Sequence, residues 1–485
     1  MTSSLDTPST RLDLLIGGTS VATAATSEVR DPGRPDEVVG IVAAATPEDS
    51  RRAVDAAHAA FLGWSRLPAT ERATQVRAAL APVAAAVPTL AETLTRENGK
   101  ILQEAFIDLA VFDARCRAAA DLADSFEPVV TLPAPPFHSR VHRLPAGVVT
   151  IIVPFNWPAA ILGASLPHAL VAGNTVVVKP PPTAPLALTR VLTLMAAELP
   201  PGVLNVVTGD VVGVEPLLTD PRVQHVVFTG STAGGRAVMA SAAQSLAKVT
   251  LELGGNDPAI LLDDVDLAPA TVEHLLDATF MSTGQVCMAV KRVYVPRARF
   301  DETVEAFGAA LSRHVVGYGL ADGTTLGPLN NARQLRVVGD MLAEARAAGA
   351  EVREFGELAA DAGDGHFVRP SLVVDPDPGL SVVGEEQFGP ALPVLPYDDL
   401  DDLLTRLDAE WSGLCSSVWS PDLDRARAVA DRMRTGTTWI NQANAAACDD
   451  RAPFGGFRQS GVGRELGLDG LLEFSEAHVV TEPAP

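Results

Sequence analysis

From residue 148 onward, short β-branched runs alternate with longer stretches of helical spacing. VVTIIV (148–153), TVVVKP (175–180), VLNVVT (203–208), HVVFTG (225–230) and KVTLEL (248–253) have the length and composition of buried strands. Segments 159–171, 185–198, 211–219 and 232–246 between them predict helices. Repeated strand–helix–strand units predict a parallel sheet covered on both faces, with ligands at the carboxyl ends of the strands. A second α/β region is predicted over roughly 256–448. Its strands lie near 292–296, 367–374, 392–397, 414–419 and 437–441, and its helices near 268–281, 299–314, 331–348 and 422–434.

Upstream, residues 47–126 carry Ala-rich amphipathic spacing with few turn signals and read as helical. Thr46–Pro47–Glu48–Asp49 supplies an N-cap, a proline at N1 and acid in the first turn. Residues 128–147 are Pro-rich with alternating segments and predict a projecting hairpin. The C-terminal EAHVVTEP predicts a strand that pairs elsewhere in the fold or with another subunit.

The stretch between Arg143 and Lys179 contains no Asp, Glu, Lys or Arg, and by length it meets the span of a bilayer. Pro154, Asn156, Pro158, Pro167, His168 and Asn174 interrupt it, so a buried strand–loop–helix–strand is the better reading. The polar N-terminus lacks the features of a signal peptide. Lys+Arg is 37 against Asp+Glu 60, a formal charge of −23, which argues against nucleic-acid and anionic-membrane partners. Cys116, Cys287, Cys415 and Cys448 are far apart, so neither a zinc site nor a disulfide framework is expected, and a reducing, cytoplasmic setting fits.

Several short segments carry candidate chemistry. Cys287, in STGQVCMA, follows a Gly284–Gln285 turn; taken alone it is a small buried hydrophobe, but a thiolate there would head a cleft. Cys116 and Cys415 read as packing residues, and Cys448, in a polar loop, as exposed. Glu252 ends a strand before Gly-Gly, so it is either a strand-end ion pair or a poorly solvated general base. Asn156 in PFNWP sits between prolines, either as an Asx-turn residue or as a neutral donor to a developing oxyanion. GSTAGG (230–235) follows a strand and opens a helix, leaving backbone N–H groups to face phosphate. SGVGREL (460–466) does not follow a predicted strand and is no dinucleotide fingerprint. Lys179 ends an apolar strand where a ribose or phosphate would lie. Glu386 and Phe388 in EEQFGP share a face if extended, suiting a ribose hydroxyl and a nicotinamide ring.

In this order and spacing, PFNWP, GNTVVVKP, FTGSTAGGR, LELGGN, GQVCMA, EEQFGP, WIN (439–441) and PFGGFRQSGVGRE (453–465) resemble the aldehyde dehydrogenase superfamily, from about residue 15 to the C-terminus. The hydrolytic, broad-substrate bacterial branch looks most similar. The resemblance implies an α/β fold: a Rossmann-type NAD(P)-binding domain (1–127 and 147–254), a catalytic domain (255–448) and a small β oligomerisation arm (128–146 and 467–485). Residues 449–466 would return near the active site. It implies a homodimer or homotetramer, Cys287 as nucleophile and Glu252 as general base. Asn156 and the Cys287 N–H would form the oxyanion hole. Lys179, Gly230, Ser231, Gly235, Glu386 and Phe388 would hold NAD or NADP, with NAD favoured, and no metal is implied.

This chain departs from the family pattern at three places. Pro182 stands where many NAD-preferring relatives carry a ribose-binding Glu, so NADP stays open. Ser165 replaces a common lysine, leaving Glu465 or water to relay the proton from Glu252. Arg458 replaces a usual lysine. Aligned with the family pattern, Trp157, Ile161, Met281, Val286, Met288 and Phe454 line the substrate tunnel. They are apolar and predict a medium-chain or aromatic aldehyde, although Asp449 and Asp450 near the mouth would suit a cationic one. The alternatives are a CoA-acylating relative, which generally lacks the base at Glu252, and a non-catalytic binding protein on the same fold.

Overall fold

The computed structural model describes residues 10–124, 126, 129–134, 136–360 and 362–483. Most of the polar N-terminal stretch read for a targeting signal, and the ends of the predicted arm at 128 and 484–485, lie outside the described residues.

The first sheet has eight strands. Its centre is five parallel strands in the order Lys248–Glu252, Val223–Thr229, Val148–Ile152, Thr175–Lys179, Leu204–Val206. Val148–Ile152 comes first in the chain, and later strands are added on both its sides, so the strand order reverses there. In a sheet of this kind that reversal opens a ligand crevice at the carboxyl ends. Both faces are covered, which is why these strands read as continuous Val/Ile/Leu runs.

The uncharged run resolves into the strand Val148–Ile152, a loop, the helix Pro158–Ala172 and the strand Thr175–Lys179. Ile161 is the one residue of that helix not fully buried, so a stripe of polar residues has no solvent to face. A different helix, Ala69–Asn98, is long and apolar enough to cross a membrane by length and composition; it packs against Leu102–Asp121 and Leu186–Ala196.

The helical region splits into Pro47–Ser65, Ala69–Asn98 and Leu102–Asp121. Thr46 does cap the first: its Oγ1 accepts from the Asp49 N–H, and Asp49 accepts in return from the Thr46 N–H. The predicted helix at 211–219 forms as two turns, Val211–Val214 and Pro216–Thr219, because Pro216 has no N–H to continue the ladder.

The second sheet has seven strands, in the order Glu351–Glu354, Ser371–Val374, Ala391–Tyr397, Arg292–Pro296, Pro258–Leu261, Cys415–Trp419, Thr437–Ile440. All pair in parallel except the first. The predicted strand at 367–374 starts only at Ser371, directly after Pro370. Pro258–Leu261 was not anticipated, since the prolines and Gly-rich approach masked it. The N-terminal strands within 10–43 were also missed; Arg34–Ala43 and Thr26–Asp31 form a hairpin beside the first sheet.

The hairpin Val129–Ala134/Phe137–Pro145 and the C-terminal strand Ser475–Pro483 form a three-stranded antiparallel sheet. SGVGREL has a structural part instead of a cofactor one: Gly461–Val462 is an edge strand that pairs antiparallel with Lys248–Glu252, placing Gly461 opposite Glu252.

Candidate active site

The chain reaches Cys287 through a tight turn, Met281–Gly284, in which Ser282, Thr283 and Gly284 all have positive φ (50°, 56° and 76°). Gly284 is required there, because a Cβ would lie 2.5 Å from the Gly389 carbonyl oxygen. The strand Arg292–Pro296 starts five residues after the cysteine. Cys287 is partly buried. Burial, then the Glu386 and Asp257 carboxylates, pushes its thiol up to about 12, against the pull of Lys291. The resting thiol is therefore protonated at neutral pH and needs a base to become a nucleophile. Lys291 escaped the sequence reading. It is buried, donates from Nζ to the Gly284 carbonyl at 3.1 Å and lies 5.2 Å from the Phe388 ring centre. Its sequence signal was a lysine closing the apolar run MAV.

Glu252 ends its strand buried, and neither carboxylate oxygen has a hydrogen-bond partner. Gly455 packs so tightly on it that a Cβ would come within 2.7 Å of Oε1. Glu465 is brought alongside by backbone bonds with Phe454 in both directions, 2.7 and 2.8 Å, and its Oε1 is also unpartnered. Burial and the neighbouring Glu465 hold the Glu252 carboxyl well above the ordinary range. Burial likewise lifts Glu465 to about 7, opposed by Arg115. Asn156 is buried with its Oδ1 unpartnered. Its loop lies against the neighbours of Cys287: Trp157 packs with Val286, and Phe155 meets Phe388 edge-on at 5.9 Å.

Trp157, Ile161, Met281, Val286 and Met288 gather in one apolar cluster, joined by Ala160, Ala289 and Val111. Val111, on the helix Leu102–Asp121, had no motif to mark it. Phe454, like Cys287, packs against the second sheet's core. The rim differs from expectation. Asp450 pairs with Arg115 at 3.0 Å and the exposed Asp449 with Arg451 at 2.7 Å, so the acidic mouth is neutralised. Cys448 is half-buried, not exposed, because Arg115 donates to its sulfur at 3.6 Å.

The cofactor candidates sit at the ends of the first sheet. Lys179 ends its strand, and burial lowers its ammonium to about 8 while Asp210 opposes the shift. Ser231 caps the helix Thr232–Ala242, accepting from the Gly234 N–H at 3.1 Å, and Gly230 donates its N–H to the Glu252 carbonyl at 2.9 Å. Gly235 lets this helix press on the sheet, since a Cβ would fall 2.5 Å from a Leu253 methyl. Glu386 lies across Gly254, where a Cβ would meet its Oε2 at 2.2 Å; its Oε1 is buried and unpartnered. Burial raises Glu386 to about 7, against Lys291. Glu386 and Phe388 do not share the face of an extended segment, because Phe388 has φ +48°. The parts nevertheless suit a dinucleotide: an exposed helix N-terminus for pyrophosphate, a strand-end lysine for ribose, and an acceptor with a free oxygen.

The model of the aldehyde dehydrogenase family matches residues 20–480. The chain belongs to the aldehyde dehydrogenase family. It is 36% identical over 464 residues to 3-succinoylsemialdehyde-pyridine dehydrogenase of a Pseudomonas species, covering 94% of each chain. Betaine aldehyde dehydrogenase of Staphylococcus aureus, solved with NAD+, superposes with a TM-score of 0.92 at 31% identity, over 97% of this chain and 94% of that one. An NADP-dependent Escherichia coli enzyme superposes with a TM-score of 0.93 at 32% identity, over 98% of both. This aldehyde dehydrogenase is an α/β oxidoreductase of a family whose solved members include NAD- and NADP-dependent enzymes.

Proposed function

We propose that the chain oxidises an apolar or aromatic aldehyde to its carboxylic acid, with NAD+ preferred over NADP+, through a thioester on Cys287. The reading is carried by the unpartnered, buried carboxylate oxygens of Glu252 and Glu465, with the buried Asn156 amide, beside the Cys287 segment where an apolar pocket meets the cofactor half.

Glu252 takes the Cys287 proton, directly or through water, because a thiol held near 12 does not ionise unaided. Sγ adds to the aldehyde carbon, and the Asn156 amide with the Cys287 N–H stabilises the oxyanion; losing one such donor costs ~10²–10³ in rate. Lys179, Ser231 and Glu386 would hold NAD(P)+, which when bound takes hydride from the adduct carbon and leaves a thioester. Glu252 first passes the thiol proton to Glu465 and then removes one from water; the hydroxide adds to the thioester carbonyl and the carbon–sulfur bond breaks, releasing the acid and the Cys287 thiolate. The second proton leaves Glu252 by the same route, through Glu465.

The apolar lining supports an uncharged substrate, and at the rim Arg115 and Asp450 pair with each other. The Pseudomonas relative's name, a pyridine-bearing semialdehyde, agrees with an aromatic one. Asp210 beside Lys179 supports NAD+, supplying near the ribose a carboxylate that Pro182 does not. The four unpaired cysteines support a reducing, cytoplasmic setting. Exposed Val130, Leu132, Phe137 and Val479 on the three-stranded sheet support a homodimer or homotetramer.

The test is a steady-state panel of aliphatic, aromatic, amino and carboxylated aldehydes with NAD+ and NADP+ side by side, with and without CoA. The reading expects the highest kcat/KM on apolar or aromatic aldehydes with NAD+, no dependence on CoA and no turnover by Cys287→Ala. A preference for charged semialdehydes, or CoA-dependent release, contradicts it.

A further inference from the structure

The turn between the second and third helices grips both catalytic loops. Asn98 ends Ala69–Asn98 and donates from Nδ2 to the Phe155 carbonyl at 2.6 Å, one residue before Asn156. Its own Oδ1 accepts from the Lys100 N–H at 3.2 Å. Lys100 Nζ lies 4.0 Å over the Trp157 ring, one residue after Asn156, and pairs with Asp108 at 2.7 Å. Both side chains of that pair are fully buried. The other Asp108 oxygen accepts from the Ala160 N–H at 2.7 Å, capping a helix whose own N-cap residue, Trp157, makes no capping bond.

The same stretch holds the cysteine's loop. Glu104 accepts from the Ser282 N–H at 2.6 Å, fastening the positive-φ turn that leads to Cys287. Asn330 donates to the Asn98 carbonyl at 3.1 Å, and its N–H donates to Gln285 Oε1 at 3.0 Å. Two loops remote in sequence are thus fixed to one short segment.

We propose that residues 98–108 are a brace that sets the Asn156 amide against the Cys287 sulfur, with Asn98, Lys100 and Asp108 as positioning residues for the oxyanion hole. The proposal rests on the oxyanion role given to Asn156 above. None of the three touches the aldehyde. A buried ion pair is weak evidence of stabilisation, since two desolvated charges roughly offset their attraction. Orientation of what it contacts is the function its geometry fits, and a misplacement of ~1 Å costs on the order of 100-fold in rate.

The test is a double-mutant cycle in the full chain. Asn98→Ala and Lys100→Met are each made alone and with Asn156→Ala, and kcat/KM is measured for one aldehyde. NAD+ binding and the rate of Cys287 alkylation by iodoacetamide are measured on every protein. Each brace variant should lower kcat/KM about 10- to 100-fold with Asn156 present. In the Asn156→Ala background the loss should be under about three-fold, as expected when both act on one interaction. NAD+ affinity and alkylation should stay within about three-fold, showing a folded chain with an unaltered nucleophile. Equal losses in both backgrounds, or none in either, overturn the brace. Undiminished activity of Asn156→Ala overturns the oxyanion role and the brace with it. Should Lys100→Met leave Asp108 buried unpaired and not fold, Asn98→Ala decides alone, since it strands no charge.

Discussion

Glu252 and Glu465 are two buried carboxyl groups side by side, and in the proposed mechanism their titration sets when water can be activated. Glu252 acts as a base only when ionised. Burial and the Glu465 charge hold it protonated above the ordinary carboxylate range. The rate of acid release should therefore rise with pH above the ordinary carboxylate range. Glu465→Gln removes the like charge, so Glu252 ionises more readily and the rising limb of kcat should move to lower pH. A pH–rate profile of the two proteins checks this, and an unmoved limb refutes the coupling. At this scale the sequence disclosed what has a motif. Cys287, Glu252 and Asn156 could be picked out because Gly-Gly, paired prolines and a turn frame them. Lys291, Val111 and the Asn98–Asp108 brace could not, because they work through contacts made by folding. Asp450 shows the same limit: its partner, Arg115, is remote in the chain.

The helix Thr232–Ala242 is the element proposed to face the cofactor phosphates. Ser231 caps it, Gly235 lets it approach the sheet, and the Gly230 N–H ties its loop to the strand that ends in Glu252. Gly235→Val would drive a branched side chain into Leu253 and lift the helix. KM for NAD+ should rise at least about ten-fold, with thermal stability lowered by ~1–3 kcal/mol from overpacking. Unchanged KM in a folded variant would show that this helix does not contact the cofactor. Elements of this kind were legible because strand and helix alternate in period from 148 onward. Boundaries failed where a proline intervened, as at Pro216 and Pro370. Whole strands failed where Gly and Pro interrupted a short apolar run, as at Pro258–Leu261. The N-terminal hairpin within 10–43 was missed because its polar, exposed face diluted the pattern.

In the whole molecule, each sheet supplies half of the candidate site. The first carries Lys179, Ser231 and Glu252 at its carboxyl ends, the second positions the approach to Cys287 and Glu386, and residues 449–466 return to place Phe454, Gly455 and Glu465 against both. The tight contacts of Gly254 with Glu386 and of Gly455 with Glu252 are where the halves meet, and neither is visible until the chain is folded. The central claim is that these halves converge to make and then hydrolyse a thioester on Cys287. Rapid-quench analysis of Glu252→Gln with an apolar aldehyde and NAD+ tests it most directly. The account predicts one NADH per active site, formed more slowly than by the wild type because Glu252 also takes the thiol proton, steady-state turnover reduced by ~10²–10⁴, and an acyl group recovered on the Cys287 peptide. Wild-type turnover without a burst, or an acyl group on any other residue, would contradict it.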